Sequence, residues 1–173
     1  MTGPLELTKN VKLALDEPGR KNLHNTQKSQ VYIVATSEKD GRRVYDKQNS
    51  CFFCGKEYAK LSRHFFQVHG KEKEIAKILQ MKPKDRARRM ELDKITRMGN
   101  FNHNLRVLEL KQGELKVIRR PGQGADMDPS NYLPCQFCHG FFQKKELYRH
   151  TPKCPFVENP EQVNARSKKL QHA

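Results

Sequence analysis

The sequence predicts a small α+β protein built from short modules rather than around one large apolar core. Three observations point there. Apolar residues make up only 35% of the 173, Trp is absent and 31% are charged, which is too little apolar surface for one extended core. All five cysteines fall into two clusters that also carry histidine. Between the clusters, apolar residues recur first at helical and then at strand-like spacing.

In chain order, residues 1–29 are polar, contain Pro4, Pro18 and Gly19, and read as a flexible segment. Residues 30–35 (QVYIVA) suit a short strand, and the basic turn Lys39-Asp40-Gly41-Arg42-Arg43 follows. The first cysteine module, with its preceding strand, spans 30–70. After it, KEKEIAKILQ sets Ile75, Ile78 and Leu79 at helical spacing. Pro83 is placed to open a second helix, with Ala87, Met90, Ile95 and Met98 as its packed stripe and Gly99 as its stop signal. The run NLRVLELKQGELKVIRR, apolar on both sides of Lys111-Gln112-Gly113-Glu114, predicts a β-hairpin. A helix pair and hairpin thus fill 71–120, and 121–131 reads as a linker. The second cysteine module occupies 132–157, and 158–173 form a loose tail.

The two clusters repeat one another. Cys51 and Cys54 are followed by Tyr58, Leu61, Arg63, His64 and His69; Cys135 and Cys138 are followed by Phe142, Leu147, Arg149, His150 and Cys154. In each, an aromatic lies four residues after the second Cys, a Leu three before the first His, and an Arg immediately before that His. A Cys-x-x-Cys turn aims two thiolates at one point, and a following helix presents the remaining pair about a turn apart, so four ligands surround one Zn²⁺. Binding supplies on the order of 10 kcal/mol of folding free energy that such small cores lack. Two zinc ions per chain are therefore expected, on Cys51, Cys54, His64 and His69, and on Cys135, Cys138, His150 and Cys154. His139 adjoins Cys138 and competes for the second site with a poorer helical position. Two thiolates cancel Zn²⁺ at the first site, and three leave a net −1 at the second. Pro152 ends the second helix, so Cys154 comes from a turn.

This pattern resembles the C2H2 zinc-finger family, with a C2HC variant at the second site, over about 20 residues per cluster. Nine and eleven residues separate the ligand pairs, fewer than the family's twelve or so. The resemblance implies two ββα-like fingers, zinc-stabilised, that flank the helix pair and hairpin. It also implies base-reading positions just before the first zinc histidine: Lys60 and Arg63, then Gln143, Glu146 and Arg149. Arg63 and Arg149 suit guanine edges. The order finger, charged helices, a turn at Gly99-Asn100-Phe101-Asn102-His103-Asn104, finger is also similar, more loosely, to animal zinc-finger proteins related to mobile elements. That likeness implies a targeting module accompanied by an additional C-terminal domain or protein partner.

Charge agrees with a nucleic-acid partner. Lys and Arg number 34 against 19 Asp and Glu, a net +15. Arg86, Arg88 and Arg89 concentrate on the Pro83 helix, where they suit phosphate contact, and KPKDRARR also suits nuclear import. The expected function is zinc-dependent binding of double-stranded DNA in the nucleus, as a transcription regulator or a mobile-element-derived targeting module. RNA binding, with Phe65, Phe66, Phe141 and Phe142 stacking on bases, is the nearest alternative. A zinc-scaffolded protein-interaction module comes after it. No apolar run suits a signal peptide or membrane span. Four protein ligands at each metal leave no open position for a substrate, so neither an enzyme nor a small-molecule substrate is expected.

Overall fold

The computed structural model describes residues 30–157; the expectations for 1–29 and 158–173 lie outside the described residues. The chain is a small mixed α and β structure with four α-helices and four two-stranded sheets among the described residues. Its elements are β1 (Gln30–Tyr32), β2 (Glu38–Lys39), β3 (Arg42–Arg43), β4 (Asn49–Ser50), β5 (Glu57–Tyr58), α1 (Leu61–Val68), α2 (Lys73–Gln80), α3 (Arg86–Leu110), β6 (Gln112–Glu114), β7 (Tyr132–Pro134), β8 (Phe141–Gln143) and α4 (Lys144–His150).

Each cysteine cluster forms an antiparallel hairpin followed by a helix: β4–β5 then α1, and β7–β8 then α4. Three apolar clusters support them. Cys51, Leu61 and Phe65 pack with Ile75 and Ile78 of α2 and Ile95 of α3. Ile33, Leu115, Val117, Tyr132 and Phe141 form a central cluster. Cys135, Cys138 and Cys154 gather Phe137, Phe142 and Leu147. Leu79, placed on the packed stripe of α2 by its spacing, is exposed.

The segment 82–114 departs most from the sequence expectation. Pro83 does not open the helix. It occupies a turn in which Lys84 is left-handed (φ 70°) and Asp85 N–H donates to Lys82 O at 3.2 Å, the arrangement of a type II turn with Pro at its second position. Asp85 then caps α3, its side chain accepting from Ala87 N–H.

Nor does Gly99 stop the helix. α3 runs 25 residues to Leu110, roughly 37 Å, and ends where Lys111 turns left-handed (φ 54°). Its buried stripe is Ile95, Gly99, Asn100, Asn104 and Val107; Ala87 is exposed, and Met90 and Met98 are only partly covered. A Cβ at position 99 would overlap Ser50 O and lie 2.8 Å from Phe52 N, so glycine lets β4 sit directly on the helix. The stretch 99–104 is therefore mid-helix, not a turn.

The hairpin expected around 111–114 does not form, because its first half is the end of α3. β6 instead pairs in parallel with β1, Val31 opposite Gly113. The strand expected ahead of the first cysteine module is thus bonded to the chain after α3. Beyond β6 the backbone runs on to β8, where Val117 bridges Phe141 and Ile118 N–H donates to Phe141 O at 2.9 Å.

Successive residues of α3 hold different parts of the molecule. Asn100 accepts from Ser50 N–H at 2.8 Å and donates to Asn49. Phe101 packs against the central cluster and lies 4.9 Å from the His139 ring. His103 Nε2 lies 3.0 Å from Glu114 O. Asn104 closes two bonds on the backbone of Lys116, at 2.7 and 2.9 Å.

Candidate metal centres

Two groups of side chains could each hold a metal ion: Cys51, Cys54, His64 and His69, and Cys135, Cys138, His150 and Cys154, with the ligand atoms of each group within 4.8 Å of one another. They fit a zinc-finger-like arrangement. The same backbone device builds both turns. Cys51 N–H donates to Lys56 O and Gly55 N–H to Cys51 O; Cys135 N–H donates to Gly140 O and His139 N–H to Cys135 O. The residue after each second cysteine is left-handed, Gly55 at φ 70° and His139 at φ 56°. His139 is thereby a turn residue whose ring lies against Phe101, and His150 takes the ligand position.

The geometry matches one ion per site. Cys54 Sγ lies 3.4 Å from His64 Nε2, Cys138 Sγ 3.3 Å from His150 Nε2, and Cys135 Sγ 4.0 Å from Cys154 Sγ. Bonds of about 2.3 Å to sulfur and 2.0 Å to nitrogen around a tetrahedral ion imply S···N and S···S edges of roughly 3.5 and 3.8 Å. All five cysteines are free thiols. His69 Nε2 is buried with no hydrogen-bond partner, a cost that coordination removes.

The repeated aromatic has a specific task. Tyr58 stacks on His64 at 3.9 Å and 18°, and Phe142 stacks on His150 at 4.1 Å and 20°, so each fixes the plane of a ligand ring. α4 ends at His150, and a short 3₁₀ turn (Thr151–Lys153) delivers Cys154.

Electrostatics separate the sites. At the first, burial pushes the Cys51 thiol up, and burial with the neighbouring His69 lowers the His64 pKa, which favours the neutral, ligating ring. At the second, the hydrogen bond between Cys138 and Cys135 lowers Cys135 to about 7 and, with burial, raises Cys138 to about 12. An ion must displace those protons.

Arg97 of α3 reaches the second site through the Cys138 sulfur. Its side chain is 14% exposed and pairs with Asp93 at 2.6 Å, and its guanidinium lies 5.1 Å from the Phe156 ring centre. Nε and Nη1 are buried without an oxygen partner. Burial opposes the Arg97 charge, but Asp93 and the Cys138 sulfur raise its pKa nonetheless. The sequence counts Arg97 only among the basic residues around the Pro83 helix that suit phosphate contact: the −1 charge expected at the second site asks for a cation, but no motif says which one.

The residues expected at a nucleic-acid surface fall in two places. Lys60 and Arg63 of the first module and Arg89 of α3 line one shallow groove. Arg86 is exposed nearby in sequence, whereas Arg88 is half-buried, donating to Met81 O at 2.9 Å with its guanidinium over Phe66. Gln143, Glu146 and Arg149 line a second groove beside His150, together with Arg119 and Lys145. The grooves share no lining residue. Of the aromatics considered for base stacking, Phe65 and Phe141 are fully buried, Phe66 lies under Arg88 and Phe142 against His150.

No helix among the described residues is long and apolar enough to cross a membrane. No protein family, curated protein or solved structure matches the chain.

Proposed function

We propose that the chain is a zinc-dependent nucleic-acid-binding protein that acts on double-stranded DNA in the nucleus, as a transcription regulator or a mobile-element-derived targeting module. The observation that carries this reading is the groove shared by Lys60, Arg63 and Arg89. It sets cations from the first hairpin-helix unit beside one from the long helix. Both donor sets, thiolate with imidazole, suit Zn²⁺. The ions would organise the hairpins, and the exposed cations of α1, α3 and α4 would meet phosphates and base edges.

The test is metal analysis of purified protein followed by binding to random-sequence duplex DNA at several salt concentrations. Two zinc ions per chain and an affinity that falls steeply with salt are expected. Fewer than two zincs, or an affinity indifferent to salt, overturns the reading. Competition with duplex RNA and single strands decides the partner. With Arg63→Ala and Arg149→Ala, a loss confined to particular DNA sequences assigns base contacts, and an equal loss on all sequences assigns phosphate contacts.

A further inference from the structure

β2 and β3 form a two-residue-per-strand hairpin whose turn, Asp40-Gly41, has both residues left-handed (φ 52° and 69°), the tight hairpin turn. Every residue from Glu38 to Asp46 is exposed. The hairpin buries almost nothing, so the fold does not account for its side chains. Lys39 stands directly opposite Arg42, a like-charge pair that costs stability in an isolated hairpin. Arg43 lies opposite Glu38, yet its guanidinium is 5.7 Å from the ring of Tyr45, which is itself 87% exposed.

The base of this hairpin is anchored firmly. Thr36 N–H donates to Pro121 O at 2.8 Å, Asp46 pairs with Arg120 at 2.7 Å, and Lys47 Nζ donates to Val117 O and Ile118 O at 2.7 and 3.1 Å. Those anchors fall on residues 117–121, and Ile118, Arg119, Arg120 and Pro121 form one wall of the groove beside α4. The hairpin therefore rises from the rim of the groove that holds Arg149 and Lys145. Within the groove Arg120 is already paired with Asp46 and Arg97 with Asp93. Arg149 reaches Glu146 only at 3.8 Å and is 77% exposed. Arg119 and Lys145 are exposed and make no ion pair among the described residues.

We infer that the β2–β3 hairpin is a wing that takes up phosphodiester groups of a DNA duplex through Lys39, Arg42 and Arg43, continuing a contact surface that runs through Arg119 and Lys145 along α4. The cations are spread over separate elements and none forms a buried cage. That layout fits phosphates spaced along a backbone rather than a single bound anion. Arg43, held over Tyr45, loses less side-chain freedom on binding than a free arginine does. The inference rests on the nucleic-acid reading above and adds to it a contact that no zinc-site residue makes.

The experiment measures affinity for a random-sequence DNA duplex against salt concentration for the wild type, Arg42→Ala/Arg43→Ala, Arg42→Lys/Arg43→Lys, and Lys73→Ala on the distant-in-sequence α2 as a charge control, each with its metal content verified. The alanine pair should lower the slope of log affinity on log salt by about 1.8, since each phosphate contact contributes roughly 0.9. It should weaken binding about tenfold or more on every sequence alike. The lysine pair should restore the slope, and Lys73→Ala should leave it unchanged. If the wild type binds duplex DNA and the alanine pair keeps its slope, the wing is overturned while the DNA reading stands. A loss seen only with single-stranded RNA overturns the choice of duplex. A wild type that binds no nucleic acid overturns both.

Discussion

At the scale of single residues, one atom decides whether the long helix can exist where it does. Gly99 allows Ser50 and Phe52 to lie against α3, and no rearrangement of a surface side chain would make room for a methyl group, because the obstructing atoms are backbone. Gly99→Ala should destabilise the zinc-loaded protein by more than about 3 kcal/mol, in the upper tail for point mutations. Denaturant unfolding in the presence of zinc measures it; an unchanged midpoint would mean that β4 does not sit on the helix. Arg97 is the second decisive residue. Removing a partner from outside the ligand set typically costs 10–100-fold in metal affinity. Arg97→Met should therefore weaken the Cys3His site by that factor and leave Cys51, Cys54, His64 and His69 unaffected. Co²⁺ titration, which reports the thiolates of each site, checks it; equal weakening of both sites would assign Arg97 to general stability.

At the scale of elements, α3 does what a core does in a larger protein. It meets the first cysteine module through Gly99 and Asn100, the second through Phe101, β6 through His103, and the chain after β6 through Asn104. The buried stripe was hidden in the sequence because three of its five positions are Gly and Asn, which an apolar periodicity does not register. The same substitution of polar for apolar residues makes α3 specific, since each asparagine accepts only a partner with matching donor and acceptor. Asn104→Ala leaves a buried N–H and C=O of Lys116 without partners. It should cost about 2–6 kcal/mol at one to three per orphaned group, and a denaturation midpoint within error of the wild type would refute it. α1 and α2 are easier to read, because Leu61 and Phe65, and Ile75 and Ile78, are apolar residues on a packed face.

At the scale of the whole molecule, the proposed ions and the fold should depend on one another. Cysteines belong to two of the three apolar clusters, while the central one contains none. Chelation should therefore melt the two hairpin-helix units, and the central cluster should lose stability with them, because β8 supplies Phe141 to it; circular dichroism before and after chelator follows the loss. The pH dependence of zinc uptake has a defined sign. Burial pushes the Cys51 thiol up, and the hydrogen bond between Cys135 and Cys138 pulls Cys135 down to about 7 and, with burial, pushes Cys138 up to about 12. Binding releases those protons, so affinity should rise as pH increases from about 6 to 8; chelator competition across that range would expose a flat profile. The sequence by itself determined the two ligand sets, because a metal site is specified by donor type and short spacing, and the repeat showed both twice. It also placed the aromatic, Leu and Arg of each module. Tertiary structure alone decided that residues 86–110 are one helix, that β6 joins β1, and that Arg97 and the β2–β3 hairpin lie where they do. Those outcomes depend on the fit of backbone to backbone and on pairings across as many as 80 or so residues (Gln30 with Gln112, Thr36 with Pro121), which local propensity and spacing do not encode.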